Sequence, residues 1–331
     1  MVRISRRRVL AQAGLAAAGV GLAADTYAQP SSFPTQPIRI LVGFAAGGGN
    51  DVIARLVAQQ MSGGPLGQVI VDNKTGASGL IAADMLAKAR PDGTTLMVAA
   101  QTSYAVAPQL YKSIGFDAPR DVAGISLLGA SPLVLVVNPS FAAKSVGDLL
   151  AIAEAQPGAI NYGSGGVGTT PHMAAELFLH QTGIRMTHVP YRGEAPAIAD
   201  VVAGQLPLLF ANVSVVTGQV KGGALRALAV TSPQRAPSLP DVPTLAEPGI
   251  KGADVETWFG LTAPAATPRD IIDRLNTEVR KALAAPDLQR RFTELSLSVT
   301  PCSPQELDAL IKSEAVRWGE VIRRANIRAP E

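Results

Sequence analysis

Hydrophobic residues recur along this chain in two alternating patterns, which predict strands and helices in turn. Short continuous apolar runs that end in glycine or polar residues are typical of buried strands. Between these runs, apolar residues repeat at helical spacing. In the first part of the chain the predicted strands are residues 37–44, 68–72 and 94–100, and the predicted helices are residues 51–61 and 80–89. Repeated strand–helix–strand units of this length predict a parallel-rich sheet flanked by helices on both faces.

A longer apolar run at residues 125–137 breaks this alternation. The run contains Pro132, which a central strand does not accommodate well, so we interpret it as a strand that crosses from one lobe into a second. Strand–helix units then resume as far as residue 230. The proline-rich segment 232–254 is typical of a connector, and we expect it to return the chain to the first lobe.

This order predicts an α/β protein of two lobes joined by two crossovers, an arrangement that can open and close about a hinge. The length of 331 residues fits about two domains. Two amphipathic helices, at residues 271–283 and 307–322, are predicted near the C-terminus. The predicted boundaries are residues 34–131 plus 256–331 for lobe 1 and residues 132–255 for lobe 2.

The basic charge of the chain is confined to its N-terminus. Four arginines within residues 1–28, opposed only by Asp25, account for the net charge of +3 of the whole sequence. The remainder is neutral overall and has no excess of basic residues for binding phosphate groups. The composition therefore predicts that nucleic acid is not a partner.

Residues 1–28 have the three parts of an export signal. A cluster of arginines precedes a mildly apolar run at residues 9–24, and Thr26-Tyr27-Ala28 provides a small-x-small cleavage site. Residues 5–10 fit a twin-arginine signal, with an ordinary Sec leader as the alternative. The apolar run is shorter than the ~20 residues of a membrane span. We therefore predict export to the periplasm and cleavage near Ala28.

Residues that usually hold metals or carry out catalysis are scarce and scattered. Cys302 is the one cysteine of the sequence, so it cannot form an internal disulfide. The three separated histidines do not form a metal-binding pattern, and the G-x-S-x-G motif of serine hydrolases does not occur. We predict no catalytic residues, no metal and no cofactor.

The loop at residues 44–51 joins the first strand to a helix and contains three consecutive glycines. Glycines let the backbone approach a ligand closely, and the N–H groups and dipole at a helix N-terminus favour an anion. Asn50 or Asp51 could cap this helix, and a tight turn without a ligand is the alternative. The candidate ligand-binding residues of this loop are Phe44, Ala46, Gly48, Asn50 and Asp51.

A second glycine-rich loop, at residues 162–172, also follows a strand and opens a helix, with Thr170 predicted as its cap. Gly163, Gly165 and Gly168 match the G-x-G-x-x-G fingerprint of dinucleotide sites. That fingerprint requires an acidic residue at the end of the next strand, and Glu194 comes late for this role. The candidate ligand-binding residues of this loop are Ser164, Gly166, Gly168, Thr169, Thr170 and His172.

The two loops fall in different predicted lobes. Each should point a helix N-terminus at the carboxyl end of a parallel sheet, where ligands bind in open α/β folds. Loops that face each other across a cleft would hold one carboxylate between two helix dipoles. Further candidates at strand ends are Thr102, Ser103, Tyr191, Arg192 and Asn212, of which Arg192 could pair with a second carboxylate of the ligand.

Several short motifs occur together from residue 34 onward and are more specific as a set than singly. They include FAAGGGND (44–51), RPDGTTL (90–96), HVPYRG (188–193), LPDVPT (239–244) and WFGLTAP (258–264). In this order they closely resemble the Bug family, the substrate-binding receptors of tripartite tricarboxylate transporters. The likeness runs from about residue 34 to the C-terminus.

The resemblance implies a two-lobe periplasmic binding protein fold, similar to type II, and capture of a carboxylate by the two glycine-rich loops, partly through bridging waters. Members bind di- and tricarboxylates, acidic amino acids, aromatic acids and nicotinate-like compounds, and their partners are a large and a small integral membrane subunit. Two departures from the family pattern are Asn50, where threonine or serine is frequent, and the segment 211–213, which lacks a frequent Asp.

The function predicted from residues and resemblance together is that of a monomeric receptor that captures a small organic carboxylate and delivers it to a membrane transporter. It is not predicted to be an enzyme. Two alternatives stay open at this point. One is an exported NAD(P)-dependent oxidoreductase that uses the loop from Gly163 to Gly168, and the other is a ligand sensor for a membrane signalling partner.

Overall fold

The structure is a computed structural model and describes residues 33–111, 114–324 and 327. The predicted signal peptide, residues 1–28, lies outside the described residues. The strands are β1 (Ile38–Val42), β2 (Val69–Asn73), β3 (Thr95–Ala100), β4 (Val122–Val137), β5 (Asn161–Ser164), β6 (Thr187–Pro190), β7 (Leu208–Asn212), β8 (Arg226–Val230) and β9 (Glu256–Pro264).

Helices follow most of the strands, as the alternating sequence pattern predicts. They are α1 (Gly49–Met61), α2 (Leu80–Ala87), α3 (Ala107–Leu110), α4 (Ala118–Asp121), α5 (Val146–Ala155), α6 (Thr170–Thr182), α7 (Glu194–Val202), α8 (Val213–Lys221), α9 (Arg269–Ala284), α10 (Pro286–Glu294) and α11 (Pro304–Arg324). Within the described ranges, none of these helices combines the length and apolar character that a membrane span requires.

The strands form a curled mixed sheet in the order β2-β1-β3-β9-β4-β7-β5-β6, with β8 paired to β4. In the first part, β1 is parallel to β2 and β3, and β9 joins antiparallel to β3. In the second part, β5 is parallel to β6 and β7, and β4 is antiparallel to β7 and β8. The fold is therefore α/β with two parallel-rich sheet parts, which we call the first and second half-sheets.

The long strand β4 belongs to both half-sheets. Its residues 122–132 pair with β9, and its residues 133–137 pair with β7 and β8. Pro132 stands where the pairing changes, so its missing N–H interrupts neither ladder. The interpretation of residues 125–137 as a crossing strand is confirmed, and residues 231–255 form the second crossover between β8 and β9.

Alternating side chains along the strands bury two faces of the first half-sheet. Ile40 and Val98 point into the core that α1 and α9 cover, whereas Leu41 and Met97 point into the core on the opposite face. The second half-sheet is covered on both faces in the same way. Strands buried on both faces explain why the sequence shows continuous apolar runs rather than strict alternation.

Helix α11 contacts the cores of both half-sheets. Leu307 and Ile311 in its first half pack in the first half-sheet core, whereas Trp318 and Ile322 pack against the second. The predicted boundaries assign all of residues 256–331 to lobe 1. They stay a prediction, and this packing shows that the last helix ties the two lobes together at one end.

The sequence pattern missed two local features. The predicted helix at residues 271–283 is followed by a separate helix, α10, because Pro286 lacks an N–H donor and keeps Ala285 extended at φ −65° and ψ 128°. Residues Thr102–Val106, of which Thr102 and Ser103 were predicted only as ligand contacts after a strand, form a turn of π-helix that continues into α3. Such turns frequently occur at functional sites.

Candidate functional site

The N-terminal ends of α1 and α6 meet at one small cavity between the half-sheets. The space open to the centre of a water molecule is about 20 Å³, which is room for about one water. Residues of both glycine-rich loops therefore line the same cavity, as the sequence predicted. The residues that line the cavity are Phe44, Gly48, Gly49, Asn50, Ala100, Thr102, Gly165, Thr169, Thr170, Pro171, Glu194, Asn212 and Thr257.

The first glycine-rich loop is held by Asp51 from within its own helix. The N-cap of α1 is Gly48, not Asn50 or Asp51 as predicted from the sequence. The Asp51 carboxylate instead accepts hydrogen bonds from Gly47 N (2.9 Å), Arg55 Nε (2.8 Å) and Asn73 Nδ2 (2.9 Å). Asp51 does not line the cavity. Its carboxylate therefore positions the loop, and the prediction that Asp51 contacts a ligand finds no support in this placement.

The second glycine-rich loop begins its helix one residue earlier than predicted. Thr169, with extended φ and ψ, is the N-cap, and Thr170 is the first helical residue. Ser164 does not line the cavity. Its hydroxyl accepts from Gly166 N at 3.1 Å and contacts His188 Nε2 at 2.7 Å, so it shapes the loop from inside.

His172 closes the same loop from the side of the helix. Its Nδ1 accepts a hydrogen bond from Gly168 N at 3.1 Å, so this N–H is already paired and does not face a ligand. The rings of His172 and His188 stack with centroids 4.1 Å apart. Burial, and for His172 also the neighbouring His188, lowers the pKa of His172 to about 3, and burial lowers that of His188 to about 4. Both rings are therefore neutral at pH 7, as an acceptor Nδ1 requires.

Tyr191 and Arg192 directly follow β6, but they do not line the cavity. The Tyr191 hydroxyl donates to Asp200 Oδ2 at 2.6 Å, and Arg192 is exposed to solvent. The expectation that Arg192 pairs with a second ligand carboxylate finds no support in this placement, because its side chain is not part of the lining. The chain turns at Gly193, and the next residue enters the site instead.

Glu194, the first residue of α7, places a buried carboxylate in the cavity. Its Oε1 accepts from Asn212 N and its Oε2 from Gly49 N, at 2.9 and 3.1 Å. Asn212 Nδ2 lies 2.9 Å from both oxygens. Gly49 has no Cβ, and a Cβ at this position would lie 3.0 Å from Asn212 Nδ2 and crowd this approach. Burial raises the pKa of Glu194, and the hydrogen bonds from Asn212 and Gly49 oppose that rise.

Several polar atoms around the cavity are buried without a partner. Within the part of the chain that the structure describes, four lining atoms make no hydrogen bond: Asn50 Oδ1, Thr170 Oγ1, Asn212 Oδ1 and Thr257 Oγ1. Buried polar atoms are nearly always paired, because leaving one unpaired costs roughly 1–3 kcal/mol. Four such atoms at one cavity, between two helix N-termini, are the pattern expected of a site that binds a small polar ligand.

The structure brings about half of the sequence-predicted site residues to the cavity. Those that line it are Phe44, Gly48, Asn50, Thr102, Thr169, Thr170 and Asn212. Those that do not are Ala46, Asp51, Ser103, Ser164, Gly166, Gly168, His172, Tyr191 and Arg192. Ala46 is exposed, and Ser103 is buried with its hydroxyl directed to Ser78 O at 3.4 Å.

The lining residues that sequence reasoning missed are Gly49, Ala100, Gly165, Pro171, Glu194 and Thr257. Glu194 had a usable signal, because it directly follows Gly193 at the start of a helix after a strand of the parallel set, the same context as the two loops that were found. Thr257 had none, because it lies within a strand whose position beside the cavity depends on the second crossover. No three His, Cys, Asp or Glu side chains of the described residues are grouped closely enough to hold a metal ion.

Comparison with known proteins assigns the chain to a family. Residues 53–327 match the model of the tripartite tricarboxylate transporter family receptor, TctC. Among solved structures, the periplasmic binding protein BugD is 31% identical, with a TM-score of 0.86 over 89% of this chain and 99% of BugD. Rpa4515 of R. palustris, solved with adipate, is 33% identical, with a TM-score of 0.87 over 89% and 99% of the two chains.

MatC from Rhodopseudomonas palustris, solved with bound malate, is 30% identical, with a TM-score of 0.84 over 88% of this chain and 100% of MatC. The oxidoreductase alternative is therefore wrong, because the family and these relatives are substrate-binding proteins. The two-lobe architecture predicted from the sequence is confirmed by the same relatives. The chain belongs to the tripartite tricarboxylate transporter receptor family and is a periplasmic substrate-binding protein of the Bug type.

Proposed function

We propose that this protein captures a small organic carboxylate in the cavity between α1 and α6 and delivers it to a tripartite tricarboxylate-type membrane transporter. The observation that carries the proposal is the set of four buried, unpaired polar atoms around that cavity. Relatives of the same fold have been solved with the carboxylates adipate and malate.

The ends of the two helices supply the attraction for an anion. The first N–H groups of a helix have no partner within the helix, and the helix dipole adds a partial positive charge at the same end. Thr169 and Thr170 at the start of α6 add two hydroxyl groups beside these N–H groups. The ligand carboxylate therefore has its best donors at the start of α6, since Gly49 N at the start of α1 already donates to Glu194.

The lobes must part before a ligand can bind. The cavity has room for about one water, and contacts across it hold the half-sheets together. Gly49 N donates to Glu194, and the Ser78 hydroxyl donates to Val167 O. The crossovers formed by β4 and by residues 231–255 are the segments that can bend while both half-sheets stay rigid.

Family membership and the sequence of the leader support a proposal about the location and partners of the protein. We propose that the leader is removed near Ala28, that the mature receptor acts as a monomer, and that a large and a small integral membrane subunit accept its ligand. Membrane vesicles that contain both subunits should accumulate radiolabelled ligand only when the loaded receptor is added. Equal uptake without the receptor would contradict delivery and favour a role in sensing.

The binding site is tested by replacing Thr170 with valine, which has nearly the same shape but no hydroxyl. A thermal-shift screen of organic acids first identifies a ligand, and calorimetry then measures its affinity. Because Thr170 Oγ1 is buried and has no partner in the described protein, T170V should not lower the melting temperature. Affinity should fall roughly tenfold, the worth of about one hydrogen bond to a charged group.

The matched control is Thr267→Val. Thr267 Oγ1 is also buried without a partner, but Thr267 does not line the cavity. T267V should therefore bind the ligand as the wild type does. Equal affinity of T170V and the wild type, or no organic acid that shifts the melting temperature, would place the ligand elsewhere.

A further inference from the structure

Glu194 places a carboxylate at the cavity that is proposed to bind a ligand carboxylate, where a second negative charge is not expected. It is 8% exposed and occupies donors at the start of α1 that would otherwise serve a ligand anion. Every hydrogen bond it makes comes from a donor: Gly49 N, Asn212 N and Asn212 Nδ2. A protonated carboxyl would need an acceptor for its own O–H. These contacts therefore fit an ionised Glu194.

The negative charge of Glu194 has no positive side chain beside it. Among the described residues that line the cavity, none is lysine, arginine or histidine. Glu194 also forms none of the ion pairs found between described residues. Two like charges a few ångströms apart in a buried site repel each other strongly. A ligand with two carboxylates would bring further negative charge next to Glu194 and would be disfavoured.

Two of the four unpaired atoms on the cavity wall are amide oxygens, which can only accept hydrogen bonds. The amide of Asn212 is oriented by its Nδ2, which donates to both Glu194 oxygens, and this leaves Asn212 Oδ1 buried as an acceptor without a donor. Asn50 Oδ1, also on the cavity wall, is a second unpaired acceptor. Amide oxygens and a carboxylate can accept hydrogen bonds from a ligand, and an ammonium group offers three N–H donors for them.

We propose that the ligand carries an ammonium group in addition to its carboxylate, and that Glu194 and Asn212 bind this ammonium group while the start of α6 binds the carboxylate. This inference rests on the proposed function and narrows its ligand to small zwitterions with no net charge. Glu194 is then the residue that selects against dicarboxylates. A primary ammonium should bind better than a trimethylammonium, because Asn212 Oδ1 requires an N–H donor.

Calorimetry at pH 7 on the purified protein tests the proposal with acids matched in length. The ammonium acids are L-alanine, β-alanine and 4-aminobutanoate. Their partners with a hydroxyl in place of the ammonium are L-lactate, 3-hydroxypropanoate and 4-hydroxybutanoate, and malonate and succinate are the dianions. The tightest ammonium acid should bind at least tenfold more strongly than its hydroxyl partner and than either dianion.

Glu194→Gln removes the charge and keeps the size of the side chain. It should weaken binding of the ammonium acid at least tenfold, leave the hydroxyl partner within threefold, and strengthen the dianions. Glu194→Asp, which keeps the charge, should retain the preference for the ammonium acid even if the shorter side chain binds more weakly. The matched control is E154Q, at an exposed glutamate of α5, which should bind as the wild type does.

The outcomes separate this inference from the proposed function. Tighter binding of dianions or hydroxy acids than of ammonium acids by the wild type would overturn the role of Glu194 and leave carboxylate capture intact. An unchanged preference in E194Q, with its melting temperature preserved, would do the same. If no acid of any class binds, both proposals fail.

Discussion

Asp51 positions the glycine-rich loop before α1, and replacing it with asparagine tests whether that role is essential. Asp51 is 3% exposed. Its Oδ2 accepts from Gly47 N and Arg55 Nε, and its Oδ1 accepts from Asn73 Nδ2. An asparagine keeps only one oxygen, so its amide nitrogen must face at least one of these donors in either orientation.

Asn73 cannot relieve this clash by turning its own amide. Its Nδ2 also donates to Phe44 O at 2.9 Å, and its Oδ1 accepts from Arg55 Nη2 at 3.1 Å. D51N therefore leaves at least one buried donor without an acceptor, which costs roughly 1–3 kcal/mol. The lost ion pair with the half-exposed Arg55 adds less than about 1 kcal/mol. We expect a loss of about 2 kcal/mol, or about 4 °C in melting temperature.

The effect should depend on pH in a defined direction. Burial by itself would raise the pKa of Asp51, but the hydrogen bonds from Arg55, Gly47 and Asn73 outweigh it and hold the pKa below its usual value. The stability that the carboxylate contributes is therefore complete above about pH 4 and is lost as the pH falls through the folded-state pKa. The difference between D51N and the wild type should shrink over that range.

Differential scanning fluorimetry from pH 3 to pH 7 measures both effects. The control is D287N, which breaks the pair between Asp287 and Arg290 on a surface where the Asp287 side chain is 81% exposed. This control should change the melting temperature by less than about 1 °C. If D51N and D287N behave alike at pH 7, the loop does not depend on Asp51 and the reasoning is refuted.

Two further predictions concern closure and acid stability. Gly193→Ala would place a Cβ 3.0 Å from Ala45 N at φ +134°, so G193A should bind ligand more weakly and show a larger radius of gyration by small-angle scattering. Gly218→Ala, where a Cβ meets open space, should change neither quantity. In the folded protein the pKa values of His172 and His188 are lowered to about 3 and about 4. Below pH 6.5 the two histidines therefore bind protons in the unfolded chain but not in the folded one. The free energy of unfolding should then fall by about 1.4 kcal/mol per pH unit for each histidine. A melting temperature that stays constant from pH 6.5 to 4.5 would contradict this.

Most of the fold could be predicted because local patterns specify it. The apolar run at residues 37–44 and the helical spacing after it are properties of neighbouring residues, and both elements form there. Pro132 marked the crossing strand because proline excludes a continuous ladder. The extra helix α10 was missed because its boundary is a single proline within a helical pattern.

The sequence by itself determined that two glycine-rich loops, one in each predicted lobe, each follow a strand and open a helix, and it predicted an anion site where they meet. Only the tertiary structure decided which side chains face that site. The Asp51 carboxylate accepts hydrogen bonds from Arg55 and Asn73 and lies outside the cavity. The Glu194 carboxylate lies in the cavity, where it accepts a hydrogen bond from Gly49 N, 145 positions away in the chain. The donors to Asp51 include Gly47 and Arg55, each four residues away, whereas the donors to Glu194 come from the start of α1 and the end of β7. No local pattern encodes the contacts of Glu194, because its donors follow or end strands of different half-sheets.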